Sequence, residues 1–80
     1  MLEMHFLDMN METIPESLFA IQTSKLNKLD IIDITYSGPM VQMYPLKYQI
    51  LDRVQHILQS RRQDRRCHIK INHFIWAMEL

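Results

Sequence analysis

The chain contains 80 residues, carries no formal net charge and has one cysteine, Cys67. This length predicts one domain, residues 1–80, with a core that gives only modest stability. No apolar run approaches the roughly 18 residues of a membrane span, no signal-peptide pattern is present, and a lone cysteine excludes an internal disulfide. We therefore expect a cytoplasmic protein without a membrane partner.

The charges are divided unevenly between the two halves of the chain. Residues 1–40 have six acidic and two basic side chains, whereas residues 41–80 have seven basic and three acidic ones. Such asymmetry can steer a charged partner towards one side of a domain. The two halves can equally neutralise each other after folding, so the asymmetry alone identifies no ligand.

The first part of the chain predicts a strand and a helix. Residues 2–8 alternate with a period of two, which is typical of a strand. Thr13 and Glu16 then have the spacing of a capping box, and Pro15 falls in the first turn, where its missing N–H needs no partner. We expect a helix from Ile14 to about Asn27.

The middle of the chain predicts a β-hairpin. Residues 29–36, LDIIDITY, are rich in β-branched side chains, which favour strands. Residues 37–39, SGP, contain the only glycine of the chain and are typical of a turn. Residues 40–44, MVQMY, alternate again, so the pattern indicates two strands around a short turn.

The last part of the chain predicts a helix and a long strand. Helical spacing of apolar residues runs from Pro45 to about Ser60. The segment RCHIKINHFIWAM, residues 66–78, then alternates as one strand. In this strand Cys67, Ile69, Ile71, His73 and Ile75 are expected to share the face towards the core. The opposite face is expected to carry His68, Lys70, Asn72, Phe74 and Trp76.

The order strand, helix, strand, strand, helix, strand predicts an α+β domain with the ferredoxin-like βαββαβ arrangement. In that fold a four-stranded antiparallel sheet carries both helices on one face, and the other face is open.

No residue pattern favours catalysis, a metal or a cofactor. His68 and His73 are expected on opposite faces, so they cannot share a metal. The single Gly38 excludes a glycine-rich phosphate loop, and Cys67 is expected to be buried in the core rather than to act as a nucleophile. We expect no enzyme activity.

The open face of the predicted sheet favours a protein partner. Small domains rarely leave a large apolar surface exposed, and Trp, Tyr, Phe and Met are enriched at interfaces. The predicted contact residues are Met40, Tyr44, Phe74 and Trp76. We expect a homodimer or a complex with a larger protein, although the residues after Phe74 could instead fold back over the core.

Nucleic acid is the alternative partner. Arginine binds phosphate with two parallel hydrogen bonds, and aromatic side chains can stack on bases. The candidate residues are Arg61, Arg62, Arg65, Arg66 and Lys70. The neutral total charge and the lack of an aromatic-rich RNA-binding strand argue against this alternative. The preferred expectation is therefore a small accessory or regulatory protein that binds another protein. The low glycine content and the seven methionines of the chain suit a phage, plasmid or viral gene.

Overall fold

The computed structural model describes residues 2–26 and 28–80. The described residues form four strands and two α-helices, with a single 3-10 turn, Met40–Gln42, before the second helix. The elements in chain order are β1 (Glu3–Met9), α1 (Ile14–Thr23), β2 (Ile31–Tyr36), α2 (Met43–Ser60), β3 (Cys67–Ile71) and β4 (Phe74–Met78).

The sheet is mixed, with the strand order β1-β2-β3-β4. Strands β1, β2 and β3 are parallel neighbours, and β4 is antiparallel to β3. The α+β class with four strands and two helices is confirmed, but the fully antiparallel, ferredoxin-like sheet is wrong. The element order is β-α-β-α-β-β, so each helix connects two parallel neighbours, as parallel strands require.

The predicted strand at residues 40–44 does not form. Met40–Gln42 form the 3-10 turn, and α2 begins at Met43. Pro45 is the third residue of α2, where backbone N–H groups have no partner within the helix. Of residues 40–44 only Met43 is buried, so this segment has no two-sided strand pattern of burial.

Helix α1 begins at Ile14 as expected, with Pro15 in its first turn, but it ends at Thr23. The predicted end at Asn27 lies outside the described residues. Thr13 precedes the helix without forming a side-chain cap; its hydroxyl instead accepts a hydrogen bond from the N–H of Asn10 at 2.9 Å. The predicted capping box is therefore replaced by a turn between Asn10 and Thr13.

The predicted long strand at residues 66–78 is two strands joined by a tight turn. Asn72 and His73 form the turn, and Asn72 has a φ of 54°, which asparagine tolerates better than most residues. Ile69 lies opposite Trp76, and Ile71 lies opposite Phe74. Cross-strand partners share a face, so Phe74 and Trp76 lie on the helix side of the sheet and not on the face of His68 and Lys70.

The core lies between the helices and one face of the sheet. Its strand residues include Ile32 and Ile34 from β2, and its helix residues include Ile21 from α1 and Val54 from α2. Cys67 belongs to the same cluster and is fully buried, which confirms its predicted environment. The other sheet face is mostly polar. Its side chains include Glu3, His5, Asp33, Thr35, His68 and Lys70.

Gly38 allows a close approach between the turn after β2 and the ring of Tyr36. A Cβ atom at Gly38 would lie 2.2 Å from the hydroxyl oxygen of Tyr36. That hydroxyl donates a hydrogen bond to Oε1 of Gln42 at 3.1 Å. The only glycine of the chain thus helps to hold the start of α2 near the end of β2.

Candidate partner-binding groove

An apolar groove lies between the first turns of α2 and strand β4. Tyr44 and Lys47 are three residues apart on α2, so they lie on the same side of the helix. Phe74 and Trp76 are two residues apart on β4, so they share the helix side of the sheet. The groove is lined by Met40, Met43, Tyr44, Lys47, Phe74 and Trp76.

The four residues predicted to contact a protein partner all line this groove. Met40 and Tyr44 are each 71% exposed, and Phe74 is 54% exposed. Trp76 is partly buried, with its ring packed against the core. The structure thus brings the predicted residues together, but at one edge of the helix side and not on the open sheet face. That prediction was wrong about the face because the turn at Asn72 and His73 reverses the chain.

Aromatic rings and one lysine organise the groove. The ring centroids of Phe74 and Trp76 are 5.9 Å apart, with an interplanar angle of 29°. The Lys47 ammonium lies 5.0 Å from the ring centroid of Tyr44, 4.6 Å from that of Tyr48 and 5.2 Å from that of Trp76. These distances are within the range of cation–π attraction, so Lys47 holds the rings as a group. Among the described residues, no carboxylate forms a salt bridge with Lys47.

Strand β4 also forms an edge of the sheet, because only β3 pairs with it. Ile71 and Phe74 flank the two-residue turn, and such flanking residues exchange both backbone hydrogen bonds. The next hydrogen-bonded pair is Ile69 with Trp76, so the N–H and C=O groups of Ile75 and Ala77 point away from β3. These groups are available to a further strand.

The two edges of the sheet differ in protection. Strand β1 carries Glu3 and His5, and its pairing shifts between Phe6 and Met9, where Asp8 has a φ of 54°. Charges and bulges of this kind discourage pairing with another chain. The register of β4 is regular from Phe74 to Met78, and this strand contains no charge and no proline. The unprotected edge is therefore the one next to the groove.

Most of the clustered arginines contact groups of the same chain. Arg61 donates hydrogen bonds to the carbonyl oxygens of Ile21, at 2.7 Å, and Leu26. The guanidinium of Arg65 lies 3.5 Å from a carboxylate oxygen of Asp30.

The remaining candidate basic residues differ in whether they form a salt bridge. Arg66 forms a salt bridge with Glu79. Arg62 and Lys70 form no salt bridge within the described part of the chain. Arg65, Arg66 and Lys70 line a shallow hollow on the open face, together with Asp30, Ile31, His68 and Ile75.

Cys67 and the histidines form no reactive cluster in the described residues. Burial and, to a smaller extent, the negative charge of Asp30 together raise the pKa of the Cys67 thiol to about 11. His68 points to the opposite face of β3 and is exposed. No three His, Cys, Asp or Glu side chains come together at metal-binding distance in residues 2–26 and 28–80.

Two buried or partly buried amides were missed by the sequence analysis. Gln63 accepts a hydrogen bond from the N–H of Leu29 at 2.9 Å and donates one to its C=O at 2.8 Å. Asn72 pairs in the same way with Tyr36, at 2.8 and 3.3 Å. Gln63 thus holds the backbone just before β2, and Asn72 holds the last residue of β2. No local pattern in the sequence indicates such long-range partners.

No helix in the described residues is long and apolar enough to span a membrane. No protein-family model matches the chain, and no curated protein or solved structure is significantly similar to it.

Proposed function

We propose that this protein is a small, non-enzymatic accessory or regulatory protein that binds a protein partner through the groove between α2 and β4. The observation that carries the proposal is the convergence of Met40, Tyr44, Phe74 and Trp76 beside an unprotected strand edge. The surface differs from the open sheet face that the sequence favoured. A buried, unpaired thiol suits the reducing cytoplasm as its location.

The chemistry of the groove resembles that of protein interfaces. Aromatic and methionine side chains are enriched at the centres of interfaces, where they bury much apolar area. The aromatic rings are held by Lys47 and by each other, so little side-chain freedom is lost when a partner binds. Removal of apolar area from water favours association by a transfer free energy of about 25 cal/mol for each Å², which is partly offset by the loss of translational and side-chain freedom.

The arginines give weaker support to nucleic-acid binding. Arg61, Arg65 and Arg66 contact carbonyl or carboxylate groups of the chain itself. Phosphates that bind these residues would compete with those contacts. Arg62 and Lys70 remain as candidates for phosphate contacts, which is a small number for a nucleic-acid site.

The test is capture from lysate of the native host, with and without nuclease treatment. The bait is the wild-type chain, and the groove variant is Tyr44→Ala. Phe19→Ala is the matched control, because Phe19 is an exposed aromatic residue of α1 outside the groove. We expect a protein that the wild type and Phe19→Ala capture after nuclease treatment, and that Tyr44→Ala does not.

Purified components then complete the test. The identified protein is titrated against the three chains by calorimetry, and Tyr44→Ala should weaken binding by about tenfold or more, as expected for an aromatic interface residue. Equal affinity of all three chains would remove the groove as the site. Capture that disappears after nuclease treatment and depends on Arg62 and Lys70 would replace this function by nucleic-acid binding.

A further inference from the structure

We infer that the partner presents an extended, acidic segment with apolar side chains, which adds to the free edge of β4 as a fifth strand. This inference rests on the proposed function, since it specifies what occupies the groove. Three features of the structure support it: the free backbone groups of β4, the apolar groove beside them and the charge around both.

The backbone of β4 offers regular pairing. The N–H and C=O groups of Ile75 and Ala77 point outwards from a strand with an unbroken register. An added strand would use all four groups and obtain main-chain hydrogen bonds that do not depend on its sequence. The charged and bulged β1 edge offers no comparable template.

The groove determines which side chains the added strand requires. Alternate residues of a strand point to opposite faces of a sheet. Those on the helix side would meet Phe74 and Trp76 and fill the space towards Met40 and Tyr44. Large apolar side chains at alternate positions fit that space.

The charge around the groove selects acidic partners. A second hollow shares Met40, Met43 and Phe74 with the groove and adds Lys70 and His73. The charged or titratable side chains lining the two hollows are thus Tyr44, Lys47, Lys70 and His73, and no carboxylate lines either. Glu79, which follows β4, already forms a salt bridge with Arg66. Carboxylates of a partner would find complementary charge here without displacing an existing acid.

A random peptide library identifies the chemistry of the occupant directly. Displayed peptides of about twelve residues are selected on the wild-type protein; this length exceeds that of β4 and leaves flanks for charged residues. We expect enriched sequences with apolar residues at alternate positions and a net negative charge. Selection on Lys47→Glu should lose the acidic preference. Selection on Lys25→Glu should keep it, because Lys25 is an exposed lysine that lines neither hollow.

Backbone methylation tests the strand pairing. Each residue of one enriched peptide is methylated at its backbone nitrogen in turn, and affinity is measured by fluorescence anisotropy. Methylation at alternate residues, which face β4, should weaken binding by about tenfold, and methylation at the intervening residues should have little effect. A run of consecutive sensitive residues, or enrichment of basic or proline-rich peptides, would overturn the inference.

A second copy of the chain is the alternative occupant of this edge. Sedimentation of the wild type, Ile75→Lys and Leu7→Lys separates the two cases, since Ile75 lies on β4 and Leu7 is an exposed residue of the other edge strand. A dimer that Ile75→Lys alone dissociates would overturn the acidic-segment inference. If no peptide of the expected kind is enriched but capture of a protein still depends on Tyr44, the proposed function stands and only the inference of a fifth strand is lost.

Discussion

Arg61 and Arg62 are neighbours in the sequence but have different environments. Arg61 is partly buried and donates hydrogen bonds to the carbonyl oxygens of Ile21 and Leu26, which lie at and beyond the end of α1. Arg62 is exposed. One arginine of the cluster therefore stabilises the fold, although the sequence suggested the same role for both.

Alanine substitution should separate these roles. Arg61→Ala should lower the free energy of unfolding by about 2 kcal/mol, because two carbonyl groups lose a charged donor. Arg62→Ala should change it by no more than about 0.5 kcal/mol, as is usual for an exposed side chain. Urea denaturation measures both. Equal effects of the two substitutions would show that the Arg61 contacts do not persist in solution.

Cys67 should react slowly with a thiol reagent. Its pKa is raised by burial from an ordinary value of 9.0 to about 11, so the thiolate that reacts is scarce at neutral pH. Near pH 8 the folded protein should react about 100-fold more slowly than the protein in urea. Rapid labelling of the folded chain would contradict the buried position.

The same shift makes stability depend on pH. The thiol ionises more easily in the unfolded chain, so its contribution to stability is complete below pH 9.0 and is lost as pH rises towards about 11. Cys67→Ser should lack this part of the pH dependence. A difference between wild type and variant that stays constant from pH 8 to 11 would contradict the raised pKa.

The β3–β4 hairpin decides which side chains enter the core. Ile71 is 2% exposed and Ile75 is 63% exposed. A continuous strand from 66 to 78 would place both on one face, since they are four residues apart. The two-residue turn at Asn72 and His73 places them on opposite faces.

Aspartate at these two positions distinguishes the hairpin from a continuous strand. Ile71→Asp should reduce stability by about 3 kcal/mol or more, because an unpaired carboxylate would be buried. Ile75→Asp should cost less than about 1 kcal/mol, since its side chain remains in water. Thermal unfolding followed by circular dichroism checks both variants. Unfolding of both would restore the continuous strand and return Phe74 and Trp76 to the open face.

The elements differ in how well local pattern predicted them. Alternation predicted β1, β-branched composition predicted β2, and the residues around Pro15 predicted the start of α1. The helical spacing after Pro45 predicted most of α2. The alternation in residues 40–44 does not correspond to a strand, because the 3-10 turn and the first residues of α2 occupy this segment. The turn at Asn72 lacks the glycine that usually marks a two-residue hairpin, so alternation appeared to continue through it.

The candidate site was predicted in composition but not in position. Met40, Tyr44, Phe74 and Trp76 were selected for their residue types, and the structure groups them at one edge. Their position depends on the β3–β4 hairpin and on the pairing of β2 with β3, which links residues far apart in the chain. The bidentate contacts of Gln63 and Asn72 have the same long-range origin. Such contacts leave no periodic signal in a single sequence.

The whole molecule has one polar sheet face, one helix-covered face and two unequal edges. The polar face contains His5 and Asp33, whose side chains lie 3.3 Å apart, and it is suited to remain in water. The β1 edge is charged and bulged, whereas the β4 edge is regular and adjoins the aromatic groove. These differences favour the β4 side of the molecule as the surface for the proposed partner.

Photo-crosslinking in the native host tests that placement most directly. A photoreactive phenylalanine is introduced at Met40, on the rim of the groove, or at Leu7 on the opposite edge; the native side chains are exposed at both positions. We expect irradiation to join the Met40 variant to a specific protein that mass spectrometry identifies, and the Leu7 variant to give no such adduct. A protein adduct from Leu7 with none from Met40, or an adduct to nucleic acid, would contradict the account.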